Sequence, residues 1–120
     1  MDLQISGKHA LVTGGSRGLG NQSAIALGNE GVKVSICARG EKDLADATKK
    51  LERLGISVSG FLVDLSKKGA AKTIFSEVTK NSGSIDILVN NVGGSLGTSD
   101  IVDSTMDDFE HVMNVNLWSA

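Results

Sequence analysis

A chain of 120 residues with no tyrosine, no proline and one cysteine has several chemistries closed to it. Without tyrosine, no phenol can serve as an acid or base anywhere along it. The single thiol, Cys37, can build neither a disulfide framework nor a zinc cluster, and its place in the apolar run Val34-Ser35-Ile36-Cys37-Ala38 marks it as a buried structural side chain. No apolar stretch approaches the roughly 20 residues of a membrane helix. Met1-Asp2-Leu3-Gln4 lacks the basic start and apolar core of a signal peptide, so the cytoplasm is the default compartment. The net charge is −2, with Lys and Arg scattered among Asp and Glu, which argues against nucleic acid or an anionic membrane as a partner. What remains, 40% apolar and 22% charged, is ordinary globular sequence, long enough for one domain and free of repeats, linkers and low-complexity segments.

Glycine is where the chain is distinctive. Thr13-Gly14-Gly15-Ser16-Arg17-Gly18-Leu19-Gly20 follows the apolar run Ala10-Leu11-Val12 and leads into Ser23-Ala24-Ile25-Ala26-Leu27, so a strand feeds a helix through a turn rich in glycine. Such a turn brings backbone N–H groups close to a pyrophosphate, and the first helical turn adds further donors and a positive dipole end. The spacing Gly14, Gly18, Gly20 is wider than G-x-G-x-x-G, and the Lys-Ser/Thr of a nucleoside-triphosphate loop is missing.

A second motif sharpens the reading. Ile85-Asp86-Ile87-Leu88-Val89 has the character of a short buried strand and runs directly into Asn90-Asn91-Val92-Gly93-Gly94. With the glycine turn before it and Asn116 after it, the chain closely resembles the short-chain dehydrogenase/reductase family over its whole length, in the order and separation of the motifs as well as their letters. One departure is Val92, where the family usually has alanine. A second is larger: the family's proton-transfer serine and Tyr-x-x-x-Lys lie after a fifth strand and have no counterpart here. The sequence also stops at Asn116-Leu117-Trp118-Ser119-Ala120, inside an apparently continuing helix. Residues 1–120 are therefore expected to be the amino-terminal part of a single dinucleotide-binding domain, inactive alone, with the catalytic Ser/Tyr/Lys in the absent remainder.

The hydrophobic period gives an α/β chain in which short strands alternate with helices. Strands are expected at His9–Thr13, Lys33–Ala38, Ser57–Val63 and Ile85–Val89, with buried helical stripes Leu44, Thr48, Leu51, Leu54 and Ala71, Ile74, Phe75, Val78. Gly31, Gly55 and Gly83 fall where left-handed helix ends are wanted. Right-handed crossovers then produce a Rossmann-like doubly wound parallel sheet of order 3-2-1-4, with both glycine-bearing turns opening onto the switch point between strands one and four. The last helix can be capped by Ser104 or Thr105 with Asp107 or Asp108 completing the box. The acidic residues Asp103, Asp107, Asp108 and Glu110 lie on mixed faces and do not converge as metal ligands, so no metal is expected.

Several residues are candidates for a site, each with a plainer alternative. At the end of strand two, where an NAD-binding chain places an acid, stand Ala38 and then Arg39. A guanidinium there can grip a 2′-phosphate, and Arg17 is a second cation able to approach it; either could instead be a solvated surface residue. The resemblance implies NADP in preference to NAD. It also implies that Asp64 bonds the adenine amino group with the Leu65 backbone beside it, although Asp64 could equally cap a helix beginning at Ser66 and Lys67. Asn90 resembles the asparagine that ties neighbouring strands, and Gly93 the glycine that lets the backbone approach the adenosine ribose; Asn91 and Val92 are counted with them in the cofactor set. Thr13 can bond across to the strand-four turn, and Gly14, Ser16, Gly18, Leu19 and Gly20 complete the cofactor set. Asn116 is the one catalytic-type residue. On a 3.6-residue period it joins Phe109, Val112 and Met113 on a buried stripe, and the resemblance implies that it holds a proton-relaying water; it could merely satisfy a loop carbonyl. His9 and His111 are expected to be solvated.

The implied activity is hydride transfer between a nicotinamide and a carbonyl or alcohol carbon of a small molecule, with this chain supplying the cofactor site. A non-catalytic NADP-binding or sensing module is the alternative. Ser95–Thr105 is the one candidate substrate wall, and the substrate itself is not legible. The resemblance further implies a homo-oligomer, dimer or tetramer, packed through the last helix, whose Val115 and Trp118 point away from the buried stripe.

Overall fold

The computed structural model describes residues 2–93, 105–114 and 116. In chain order the elements are β1 (His9–Thr13), α1 (Gly18–Asn29), β2 (Lys33–Ala38), α2 (Glu41–Arg53), β3 (Val58–Leu62), α3 (Ala70–Ser82), β4 (Ile87–Val89) and α4 (Met106–Met113). All strand pairings are parallel, in the order β3-β2-β1-β4. The expected α/β architecture and strand order are therefore the observed ones.

Strand β1 is central and buried along its whole length. Its alternate residues serve two cores, as a period of two requires. Ala10 and Val12 join Val34 and Ile36 of β2 against Ala24 of α1 and Leu44, Ala47 and Leu51 of α2, while Leu11 and Cys37 pack on the other face with Leu65, Ile74 and Val78. Three helices are followed by a glycine of positive φ, as expected: Gly31, Gly55 and Gly83 after α1, α2 and α3, with φ of 82°, 80° and 84°, a conformation that a side chain resists. Among the described residues no helix is long and apolar enough to cross a membrane.

The stripes and strand ends differ from expectation in detail. On α2 the third buried residue is Ala47, because Thr48 turns its hydroxyl back to the Leu44 carbonyl at 2.8 Å, and Leu54 lies past the helix end. On α3 the buried residues are Ile74 and Val78 alone; Phe75, the residue after Ile74, turns outward, and Ala71, in the first turn of the helix, is exposed as well. Strand β3 is one residue shorter at each end than expected, and β4 begins at Ile87. It starts late because Asp86 is engaged at the sheet's lower edge, where its N–H donates to the His9 carbonyl at 2.8 Å and its Oδ2 accepts the His9 N–H at 2.9 Å. Thr105 directly precedes α4, in the position of a cap. Ser104, most of the Ser95–Thr105 segment, the Asp103 carboxylate, Trp118, and the side chains of Asp108, Phe109, Val112 and Val115 lie outside the described residues.

His9 is not solvated. It is 4% exposed, with Nδ1 3.0 Å from the Ser84 carbonyl and Nε2 2.7 Å from the Ser35 hydroxyl. A carbonyl can only accept, so Nδ1 carries a proton, and in the neutral ring Nε2 accepts from the Ser35 hydroxyl. A polar residue at the head of a central strand is thus tolerated because β2 and the loop before β4 each supply a partner. His9→Ala is expected to leave both partners unpaired and cost at least about 2 kcal/mol in urea unfolding, and nitrogen-15 NMR of the unaltered protein should show the Nδ1–H tautomer.

Candidate functional site

The turn after β1 and the turn after β4 are laced together. Thr13 Oγ1 accepts the Asn91 N–H at 3.0 Å and donates to the Val89 carbonyl at 3.3 Å, so one hydroxyl serves both strands. The Asn91 side-chain amide then donates to the Gly14 carbonyl at 3.1 Å. This corrects the expectation for Asn90, which is exposed; strand alternation turns Asn91, the next residue, toward the glycine turn. Gly20 fits beneath this lacing because it has no side chain: a Cβ there would overlap the Gly14 carbonyl and come 2.5 Å from Asn91 Nδ2. Gly14 and Gly18 have φ of 63° and 56°. Arg17 precedes α1 in an extended conformation and no side chain caps the helix, so its first-turn N–H groups face outward as an anion-binding end would.

These turns open onto a cleft of about 430 Å³, within the size range of a small-molecule or cofactor site. Of the candidate residues, Gly14, Ser16, Arg17, Arg39, Asp64, Leu65, Asn91, Val92 and Gly93 line it together. Thr13 stands behind the lining and braces it, while Gly18, Leu19 and Gly20 lie outside it, with Leu19 exposed on the first turn of α1. Cys37, Asp43, Ser66 and His111 also line the cleft and were not foreseen as site residues. A polar residue in the first turn after a cleft-facing strand is a signal that could have found Asp43. His111 is exposed, as expected, yet it forms part of the wall.

Asp64 closes a tight turn on Ser66, its Oδ1 accepting the Ser66 hydroxyl at 2.6 Å and the Ser66 N–H at 3.0 Å. Helix α3 starts later, at Ala70 behind Gly69, so the helix-cap reading of Asp64 falls. The Ser66 hydroxyl bond, aided by the Ser66 N–H, Lys67 and Arg39, outweighs partial burial and holds the carboxyl below the ordinary aspartate range. Arg17 Nε lies 3.7 Å from Asp43 Oδ2, both side chains being substantially exposed. Burial pushes the Cys37 thiol up to about 11, against a smaller opposing hydrogen bond from the Gly14 backbone.

Asn116 is exposed, while the side chains of Phe109 and Val112, with which it was expected to share a stripe, lie outside the described residues. It nevertheless reaches the site: a Cβ on Gly93 would stand 2.7 Å from Asn116 Oδ1. Among the described residues no group of His, Cys, Asp or Glu could hold a metal ion.

Two outcomes follow from this packing. Gly20→Ala should force the two turns apart and cost about 1–3 kcal/mol in chemical unfolding, the scale of an overpacked core. The folded chain holds Cys37 near 11 and the unfolded chain near the ordinary 9.0. The unfolded state therefore loses the thiol proton first, and stability that is whole below the lower value drains away as pH rises toward the upper one. Urea melts across that window should show the decline, and Cys37→Ser should remove it.

The family profile described as short chain dehydrogenase matches residues 8–120. A tropinone reductase homolog from Datura stramonium is 34% identical over 114 residues, covering 94% of this chain and 42% of the relative. Among solved structures, the Pseudomonas aeruginosa RhlG/NADP active-site complex superposes with a TM-score of 0.86 at 36% identity, covering 96% of this chain and 44% of that one. The L-sorbose reductase of Gluconobacter frateurii, complexed with NADPH and L-sorbose, superposes with a TM-score of 0.91 at 28% identity, covering 99% and 45%. The chain thus spans less than half the length of these relatives. Sheet order, the laced glycine turns and a match running through nearly all of the sequence agree, and the chain belongs to the short chain dehydrogenase family.

Proposed function

We propose that this chain is the amino-terminal, cofactor-binding part of an NADP-dependent oxidoreductase acting on a small carbonyl or alcohol substrate. The observation that carries the reading is the cleft wall at the end of β2: Ala38 stands where an acid would meet a ribose 2′-hydroxyl, and Arg39 and Arg17 line the same cleft. The relatives complexed with NADP or NADPH support it. The residues fit such a group, because the glycine turn leaves room for backbone to approach a pyrophosphate and the cleft has the volume for an adenosine half.

The chemistry a bound nicotinamide cofactor supplies is hydride transfer. The chain's own residues bind and orient. The start of α1, which no side chain caps, would receive the pyrophosphate, Arg17 and Arg39 would neutralise the 2′-phosphate, and the Asp64–Leu65 wall would receive the adenine. The Thr13–Asn91 lacing fixes the distance between the two turns, so the cofactor is held against a rigid edge of the sheet. Asn116, exposed beside Gly93, can orient a water for proton transfer. The proton donor itself lies outside the 120 residues, which contain no tyrosine, and these residues alone are proposed to be inactive.

In the whole protein, Arg39→Ala is expected to weaken NADP binding by about 1.5–3 kcal/mol, the value of a hydrogen bond to a charged group, and to leave NAD nearly unchanged. Ala38→Asp should move the preference toward NAD through repulsion of the 2′-phosphate. Calorimetric titration with both cofactors reads the two effects, and equal losses for NADP and NAD in Arg39→Ala would refute the reading.

A further inference from the structure

Helix α2 begins on the rim of the cleft, and its first turn sends Asp43 into the lining beside the two arginines. Asp43 Oδ2 stands 3.7 Å from Arg17 Nε and faces Gly40, where an added Cβ would lie 3.6 Å from it. The carboxylate therefore occupies ground between the glycine turn and the residues that follow β2, where a 2′-phosphate sits if Arg17 and Arg39 both grip it. Its charge is wrong for that place. An acid in the first turn does favour a helix whose Gly40 cap offers no side chain, but Glu41 meets that need in the same turn without lining the cleft. Asp43 adds to the same helix-start stabilisation and, unlike Glu41, also lines the cleft.

We propose that Asp43 is a specificity-determining residue that holds Arg17 across the cleft mouth and yields it to the 2′-phosphate, thereby limiting the affinity for NADP while leaving that for NAD unaffected. This rests on the reading of the cleft as an NADP site and adds the residue that sets how strongly the site discriminates. An ion pair at 3.7 Å between side chains 78% and 47% exposed is weak enough to exchange. A phosphate dianion, able to accept two parallel guanidinium bonds, displaces the carboxylate. The exchange costs part of what Arg17 would otherwise contribute, and the displaced carboxylate remains near the phosphate and repels it. Both effects fall on ligands carrying the 2′-phosphate and on no others.

The test uses the whole protein and two probes: 2′,5′-ADP, which carries the 2′-phosphate without a nicotinamide, and 5′-AMP, which lacks it. Calorimetry compares the unaltered protein with Asp43→Asn and with Asp43→Ser, a second replacement that suits a helix start, each with Arg17 present and in an Arg17→Ala background. Both replacements are expected to tighten 2′,5′-ADP by about three- to tenfold, the scale of one charge a few ångströms away in well-solvated surroundings. They should leave 5′-AMP unchanged, and the gain should fall by at least about half without Arg17. Weaker binding of 2′,5′-ADP, an equal shift for both nucleotides, or the same gain with and without Arg17 would overturn the proposal. An unaltered protein that binds 5′-AMP but holds 2′,5′-ADP no more tightly would instead refute the NADP reading on which it rests.

Discussion

The hydroxyl of Thr13 is the tie on which the site depends. It accepts from the Asn91 backbone and donates to the Val89 carbonyl, and the Asn91 amide completes the link to Gly14. Strands β1 and β4 are neighbours in the sheet but far apart in sequence, and β4 contributes only three residues. So short a strand cannot fix the relative position of two turns by ladder bonds alone. The side-chain links do so, and they explain why Gly20 has no room for a Cβ: the glycine turn is pressed against the turn after β4 as well as folded on itself.

The opposite end of the sheet is held by a similar device with different chemistry. His9, Ser35, Ser84 and Asp86 join the start of β1 to β2 and to the approach to β4. Both ends of the central strand are thus polar and both are satisfied, while its middle is apolar on each face. Among the described residues no buried side-chain nitrogen or oxygen lacks a partner. An apolar centre supplies the driving force for burial, and paired polar ends specify register, because a one-residue slip would strand every one of these groups.

Charge in the cleft is balanced rather than uniformly positive. Arg17 and Arg39 share the wall with Asp43 and Asp64, but the two acids are held differently. Asp64 is drawn into a local turn by Ser66, whereas Asp43 is set against a cation across the cleft.

Much of this was legible in the letters. The order of the sheet followed from alternating periods and the handedness rule, and β1 and β2 were readable to the residue because their apolar runs are bounded by glycine turns. The ends of β3 and β4 were not, since pairing with Asp86 and its neighbours, and not propensity, decides where a three-residue strand starts. That the glycine turn, Arg39 and Asp64 share one cleft was legible because each directly follows a strand whose place in the sheet the period gives. Asn91 rather than Asn90, the buried His9, the exposed Asn116 and the cleft-facing Asp43 depend on which way a side chain turns after its strand or helix ends, and on what stands opposite. Sequence alone determined the fold class, the strand order and the position of the glycine turn after β1, because these follow from local period and backbone freedom. The tertiary structure alone decided which polar side chains find partners across the sheet, because those distances are set by segments far apart in the chain.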